Sequence, residues 1–135
     1  MQLTSRYRFV ASHRLHTPAL SAEQNAKLYG KCNNPYGHGH DYVLDLTVEG
    51  PLDPSGQIVN REALDAVVKT QVLRHVDHRD LNSEVAELAG QVTTTENLAL
   101  AIEGMLKSQW TLPARLVRVR IAETERNTFE LESKP

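Results

Sequence analysis

Apolar and polar residues alternate along the first stretch of the chain. Leu3, Ser5, Tyr7, Phe9, Ala11 and His13 share one parity, while Gln2, Thr4, Arg6 and Arg8 share the other. A period of two sends successive side chains to opposite faces of a sheet, so this run predicts a half-buried strand. The alternation returns from His38 to Val48. His38, His40, Tyr42, Leu44, Leu46 and Val48 lie on one face; Asp41, Asp45, Thr47 and Glu49 lie mostly on the other.

Asp53-Pro54-Ser55-Gly56 reads as a turn. The period then changes. Asn60 is placed to cap a helix running to about Val76, with Leu64, Val67, Val68 and Val72 on one side. Thr93-x-x-Glu96 reads as a capping box that opens a second helix, along which Leu98, Ala101, Ile102, Met105 and Leu106 keep helical spacing until Leu112-Pro113. Arg115 to Ala122 is a third strand whose Val117, Val119 and Ile121 share a face, and parity puts Glu123 on that same face. A short fourth strand carries Phe129 and Leu131. The order ββααββ predicts one α+β domain over residues 1–135, with helices on one face of an antiparallel sheet. Its exposed sheet edges need cover, which oligomerisation can supply.

Composition narrows the function classes. Of 135 residues, 40% are hydrophobic and 24% charged, and the formal net charge is −2. That balance does not point to general nucleic-acid or membrane binding. The single cysteine excludes an intramolecular disulfide and fits a reducing compartment. The N-terminal residues have no signal-like apolar run, and no segment reaches the length of a membrane span, so the expected location is the cytoplasm.

Both predicted strands carry histidines on the apolar face. His13 ends the first, and His38 and His40 begin the second. Antiparallel pairing brings all three imidazoles to one rim of the sheet. Imidazole suits zinc, and three such ligands leave one open position, which favours chemistry over structure. The plainer reading is a hydrogen-bonded histidine cluster. His16 has the wrong parity and is left out of the ligand set. The long connection between the strands holds Pro18, Pro35 and Cys32. Cys32 fits three descriptions: a fourth ligand closing a structural zinc site, a buried small hydrophobe, or a thiolate moving protons beside the metal. Asp77-His78 follows the first helix; a carboxylate can orient an imidazole there, or the histidine can simply complement the helix dipole. Glu123 is either solvated at the sheet rim or anchors a ligand bearing paired N–H donors.

The residues Ala-Ser-His-Arg-Leu-His at 11–16, Tyr-Gly-Lys-Cys-Asn-Asn-Pro at 29–35, Gly-His-Gly-His at 37–40, Leu52-Asp53-Pro54, Val76-Asp77-His78, Thr94-Thr95-Glu96-Asn97 and Glu123-Thr124 together resemble the 6-pyruvoyl-tetrahydropterin synthase family. The resemblance runs from about Phe9 to about Leu131, and Cys-Asn-Asn-Pro-x-Gly-His-Gly-His is its most specific part. It implies a tunnelling fold with a four-stranded antiparallel sheet and two helices on one side. It also implies trimers stacked into a homohexamer with active sites between subunits. By position, it implies His13, His38 and His40 as zinc ligands and Cys32 as the proton-abstracting base. Asp77 and His78 would complete a relay with Cys32 from a neighbouring chain. Glu123 would anchor the pterin, with Thr94, Thr95 and Glu96 near the pterin pocket. The implied activity is a lyase reaction on 7,8-dihydroneopterin triphosphate, with zinc as cofactor and magnesium as an accessory ion screening the phosphates. The rival activity is 6-carboxytetrahydropterin synthesis in the queuosine route, which usually goes with a shorter Cys-to-His spacing than the Cys-x5-His seen here. A rival of another class is a non-catalytic zinc- or pterin-binding protein. The chain departs from the family at Glu125-Arg126-Asn127, where Asp-Asn-Asn is common, and at Tyr36, where a smaller polar residue is common.

Overall fold

The computed structural model describes residues 1–135. In chain order the elements are β1 (Gln2–His13), α1 (Ala22–Tyr29) and β2 (His38–Glu49), then α2 over residues 61–76 and β3 (Arg79–Asp80). They are followed by α3 (Thr95–Ser108), β4 (Arg115–Ala122) and β5 (Thr128–Glu132). The sheet order is β3-β1-β2-β4-β5.

The expected strands and the α+β class are present, but the sheet has a fifth strand that the four-stranded expectation lacked. β3 is only two residues long and pairs parallel with Ala11 and Ser12. Two residues carry no readable periodicity, so pairing rather than pattern creates it. His78 starts the run with a positive φ of 59° and donates its backbone N–H to the Val10 carbonyl at 2.6 Å.

β1 and β2 form an uninterrupted antiparallel ladder from Gln2 opposite Glu49 to His13 opposite His38. Residues directly opposite share a face, so Phe9, Ala11, Tyr42, Leu44, Leu46 and Val48 form one buried surface. Val119 and Ile121 of β4 extend it, and α2 and α3 cover it with Leu64, Val68, Val72, Leu98, Ile102 and Leu106, all fully buried. Each such side chain contributes on the order of 2 kcal/mol by leaving water. The opposite face is polar and tied by cross-strand pairs: Thr4 with Thr47 at 2.8 Å, Arg6 with Asp45 at 2.9 Å and Arg118 with Glu132 at 2.7 Å.

α2 is α-helical over Arg61–Val68, widens into a π turn over Lys69–Leu73, and closes with Arg74–Val76. Leu64, Val68, Val72 and Val76 are all fully buried at a spacing of four. A regular helix of 3.6 residues per turn rotates such a row off the core face, and the wider π turn cancels that drift.

Two local expectations are corrected. The connection from His13 to His38 contains a helix, α1, whose Ser21 and Gln24 form a reciprocal capping box. The N-cap of α3 is Thr94, not Thr93: the Thr94 hydroxyl accepts the Asn97 N–H at 3.2 Å, so Thr93 and Glu96 form no capping box. Three consecutive threonines offer the same cap chemistry, and the demand for the Thr93 carbonyl at the site below selects among them.

Candidate metal centre

The β1–β2 register carries His13, His38 and His40 to one rim of the sheet on the core-facing side. His13 lies directly opposite His38, and His40 sits opposite Ala11 one step along the ladder. Ring centroids are 4.8 Å apart for His13 and His38, 5.1 Å for His13 and His40, and 4.5 Å for His38 and His40. Gly37, at φ 74°, makes the tight entry to β2, where a Cβ would lie 3.2 Å from the His13 carbonyl oxygen. His16 stays outside the group and hydrogen-bonds to Asn33 instead.

A carboxylate joins the three imidazoles. Glu123 follows Ala122 of β4, which pairs with Val43 of β2, so alternation brings its side chain to the histidine face. Its Oε1 lies 2.9 Å from His40 Nε2 and 3.8 Å from His13 Nε2. Thr95, buried at the start of α3, donates its hydroxyl to Oε2 at 2.9 Å. One donor atom each from His13, His38, His40 and Glu123 lies within 4.8 Å of the others, a group suited to a divalent metal. Cys32 is not among them. The sequence reading placed Glu123 at the rim but not beside the histidines; the parity of β4 was the available signal, and the pairing of β4 with β2 was the missing one.

The protonation states fit a metal. His13 donates Nδ1–H to the Thr93 carbonyl at 2.8 Å, which leaves Nε2 bearing a lone pair. That Nε2 is buried and has no hydrogen-bond partner. Burial pushes the His13 and His38 pKa values down, favouring the neutral ring that ligates. His38 and His40 Nε2 approach to 2.7 Å. An unpartnered buried nitrogen with neighbouring nitrogens turned inward is costly unless a cation takes the lone pairs.

Cys32 is half-buried in the short turn Gly30–Asn33 that ends α1, and its carbonyl receives the Leu15 N–H at 2.6 Å. Burial, with Glu123's charge adding to it, pushes the Cys32 thiol up. The buried phenol of Tyr42 stacks on Phe9 with centroids 4.9 Å apart and shares these neighbours: burial, then Glu123 and Cys32, hold its pKa up.

Asp77 and His78 form their own pair beside β1. Asp77 Oδ1 accepts the Val10 N–H at 2.9 Å and lies 3.0 Å from His78 Nδ1, while the His78 side chain is 78% exposed. They are not grouped with Cys32 inside this chain. Of the α3 residues, Thr95 reaches the site through Glu123, Thr94 acts as the helix cap, and Glu96 is exposed in the first turn.

Fold and site together define an α+β protein with three histidines and a carboxylate converging at one rim of its sheet. The chain belongs to the 6-pyruvoyl tetrahydropterin synthase family, whose model matches residues 2–134. It is 45% identical over 122 residues to the 6-pyruvoyl tetrahydrobiopterin synthase of Poecilia reticulata, covering 88% of this chain and 81% of that protein. It is 42% identical over 128 residues to the human protein of that name, covering 93% of this chain and 87% of that one. The solved 6-pyruvoyl tetrahydropterin synthase of Caenorhabditis elegans superposes with a TM-score of 0.92 at 36% identity, covering 99% of this chain and 96% of that chain. No helix of the chain is long and apolar enough to cross a membrane.

Proposed function

We propose that this protein is a zinc-dependent lyase that converts 7,8-dihydroneopterin triphosphate to 6-pyruvoyl-tetrahydropterin with release of triphosphate. The observation that carries this reading is the buried, unpartnered His13 Nε2 facing two further imidazoles and a carboxylate. Zinc held by His13, His38 and His40 supplies a Lewis acid for the substrate's side-chain oxygens and acidifies the neighbouring C–H and O–H groups. No redox cofactor is needed, because hydrogens are redistributed within the substrate as triphosphate leaves.

The chain's own groups do the rest. Cys32 takes a proton from the substrate side chain. Burial and the charge of Glu123 raise the Cys32 pKa, and positive charge beside it would favour the thiolate. Glu123 anchors the pterin. His40 cannot both ligate through Nε2 and donate from it to Glu123, so ligation frees Oε1 for an N–H of the ring while Thr95 holds Oε2. Asp77 fixes His78, so that the imidazole of a neighbouring subunit returns a proton to the site.

This arrangement calls for a homohexamer built from trimers. The outer edges of β1 below Ala11 and of β5 have no strand partner in the chain, and His78 is exposed beside β1. The proposed setting is the cytoplasm, and magnesium accompanies the triphosphate. Cys32 as a fourth ligand of a structural zinc module is disfavoured by its place outside the four-donor group.

The test measures zinc content and triphosphate release with 7,8-dihydroneopterin triphosphate, for the native chain and Cys32→Ala. Equal zinc in both, with release lost in the variant, supports the reading. Release unaffected by Cys32→Ala overturns the role of Cys32, and zinc lost with the sulfur restores the structural module.

A further inference from the structure

A cavity of about 420 Å³ opens where β1 ends and β2 begins. Ser12 and Gly37 line it, each one residue before a proposed zinc ligand, together with Arg14, His16, Asp80 and Asn82. The zinc reading uses none of these side chains.

Asn33, one residue after Cys32, fixes how Arg14 and His16 present themselves. Its side-chain nitrogen donates to the Leu15 carbonyl at 2.7 Å, and this sets the orientation of the amide, since the reverse would press two oxygens together. The same Nδ2 lies 3.2 Å from His16 Nδ1. An amide nitrogen offers only hydrogens, so His16 Nδ1 accepts, and the neutral ring carries its hydrogen on Nε2. The Asn33 carbonyl accepts from Arg14 Nε at 3.2 Å, leaving the two terminal guanidinium nitrogens without partners in the chain. Arg14 also makes no ion pair. Its backbone is clamped by Asn82, which accepts the Arg14 N–H at 2.7 Å and donates to the Arg14 carbonyl at 2.9 Å. The one carboxylate on the cavity wall, Asp80, is engaged: it accepts from Asn82 N–H at 3.2 Å and Ser83 hydroxyl at 2.9 Å.

A guanidinium with a free donor fork and an imidazole whose Nε2–H has no partner in the chain, both held by one asparagine, suit phosphoryl oxygens. We propose that Arg14 and His16, oriented by Asn33, form the subsite that grips the triphosphate end of the substrate. This rests on the lyase reading for the identity of the ligand. It gives Asn33 a purpose: the residue that follows the proposed base Cys32 also sets the phosphate grip.

The test uses zinc-loaded protein, magnesium tripolyphosphate as probe, and dihydroneopterin without phosphates as the control ligand. In Arg14→Gln the amide can still donate to the Asn33 carbonyl; His16→Phe keeps the ring shape and removes the donor. The expected result is tripolyphosphate binding that competes with dihydroneopterin triphosphate. It weakens roughly tenfold to a hundredfold in Arg14→Gln and about tenfold in His16→Phe. Dihydroneopterin affinity, zinc content and Tm hold, and KM for the triphosphate substrate rises more than kcat falls. Unchanged tripolyphosphate affinity in both variants overturns the proposal, as do equal losses for both ligands or binding that does not compete with substrate. If the protein binds tripolyphosphate as described but turns nothing over, the subsite stands as an anion site and the lyase reading falls.

Discussion

His13 donates its Nδ1 hydrogen to the carbonyl of Thr93, 2.8 Å away and eighty positions along the chain. This one bond orients the ring, fixes its tautomer and leaves Nε2 facing His38, His40 and Glu123. It also links β1 to the segment that opens α3, where Thr95 holds Glu123. Metal ligand, ligand support and carboxylate support thus meet at one helix start.

Thr95→Val removes the hydroxyl that donates to Glu123 and leaves a buried methyl in its place. Because Thr95 supports the pterin anchor and no histidine, kcat/KM is expected to fall by roughly tenfold to a hundredfold while zinc affinity holds. Thr95→Ser is expected to restore most of it. Zinc competition with a chromogenic chelator, together with steady-state rates, checks both.

Cys32 rests as a thiol because burial and Glu123 disfavour its thiolate. Adding zinc places positive charge beside it, so alkylation by iodoacetamide is expected to speed up on zinc loading. Mass spectrometry of the modified chain measures this. A rate that falls on loading would mean that the sulfur itself binds the metal.

Asn25 is fully buried and organises the loop that leads to Cys32. It accepts the Thr17 N–H at 2.8 Å and donates to the carbonyls of Thr17, Leu20 and Ser21. Asn25→Ala leaves these backbone groups unpaired and is expected to destabilise the fold by about 3 kcal/mol. Denaturant unfolding, with m unchanged, reads the loss.

Asp53 is held below its ordinary pKa of 3.8 by the Ser55 hydroxyl and by backbone N–H groups of Gln57, Ser55 and Gly56. A carboxylate whose folded pKa is depressed contributes stability above the unfolded value and loses it as pH falls through the folded one. Asp53→Ala is therefore expected to lower Tm at neutral pH. The gap from the native chain should shrink only as pH falls below 3.8, and thermal melts across pH 2 to 6, a range set about that ordinary carboxylate value, follow it.

Much of this was legible before the structure because the relevant signals were local. The alternation in β1 and β2 was long enough to set both faces, and simple antiparallel pairing then placed His13 beside His38 and His40. The helix α1 was missed although Ser21-x-x-Gln24 is a capping signature, because its residues carry little apolar periodicity: among them only Asn25, a polar residue, is buried. β3 was too short to register. The approach of Glu123 to His40 depends on which strands pair, and Asn33's hold on Arg14 and His16 depends on loop geometry that no spacing encodes. The choice of Thr94 over Thr93 as cap was undecidable by propensity and is settled by His13's need for the Thr93 carbonyl.

The most direct measurement is the identity of the product. Zinc-loaded protein is incubated anaerobically with 7,8-dihydroneopterin triphosphate, and the pterin is analysed by mass spectrometry. The account predicts 6-pyruvoyl-tetrahydropterin with one triphosphate released for each pterin. A 6-carboxy product with acetaldehyde would contradict it in favour of the queuosine-type reaction, and intact substrate over a zinc-filled site would contradict catalysis altogether.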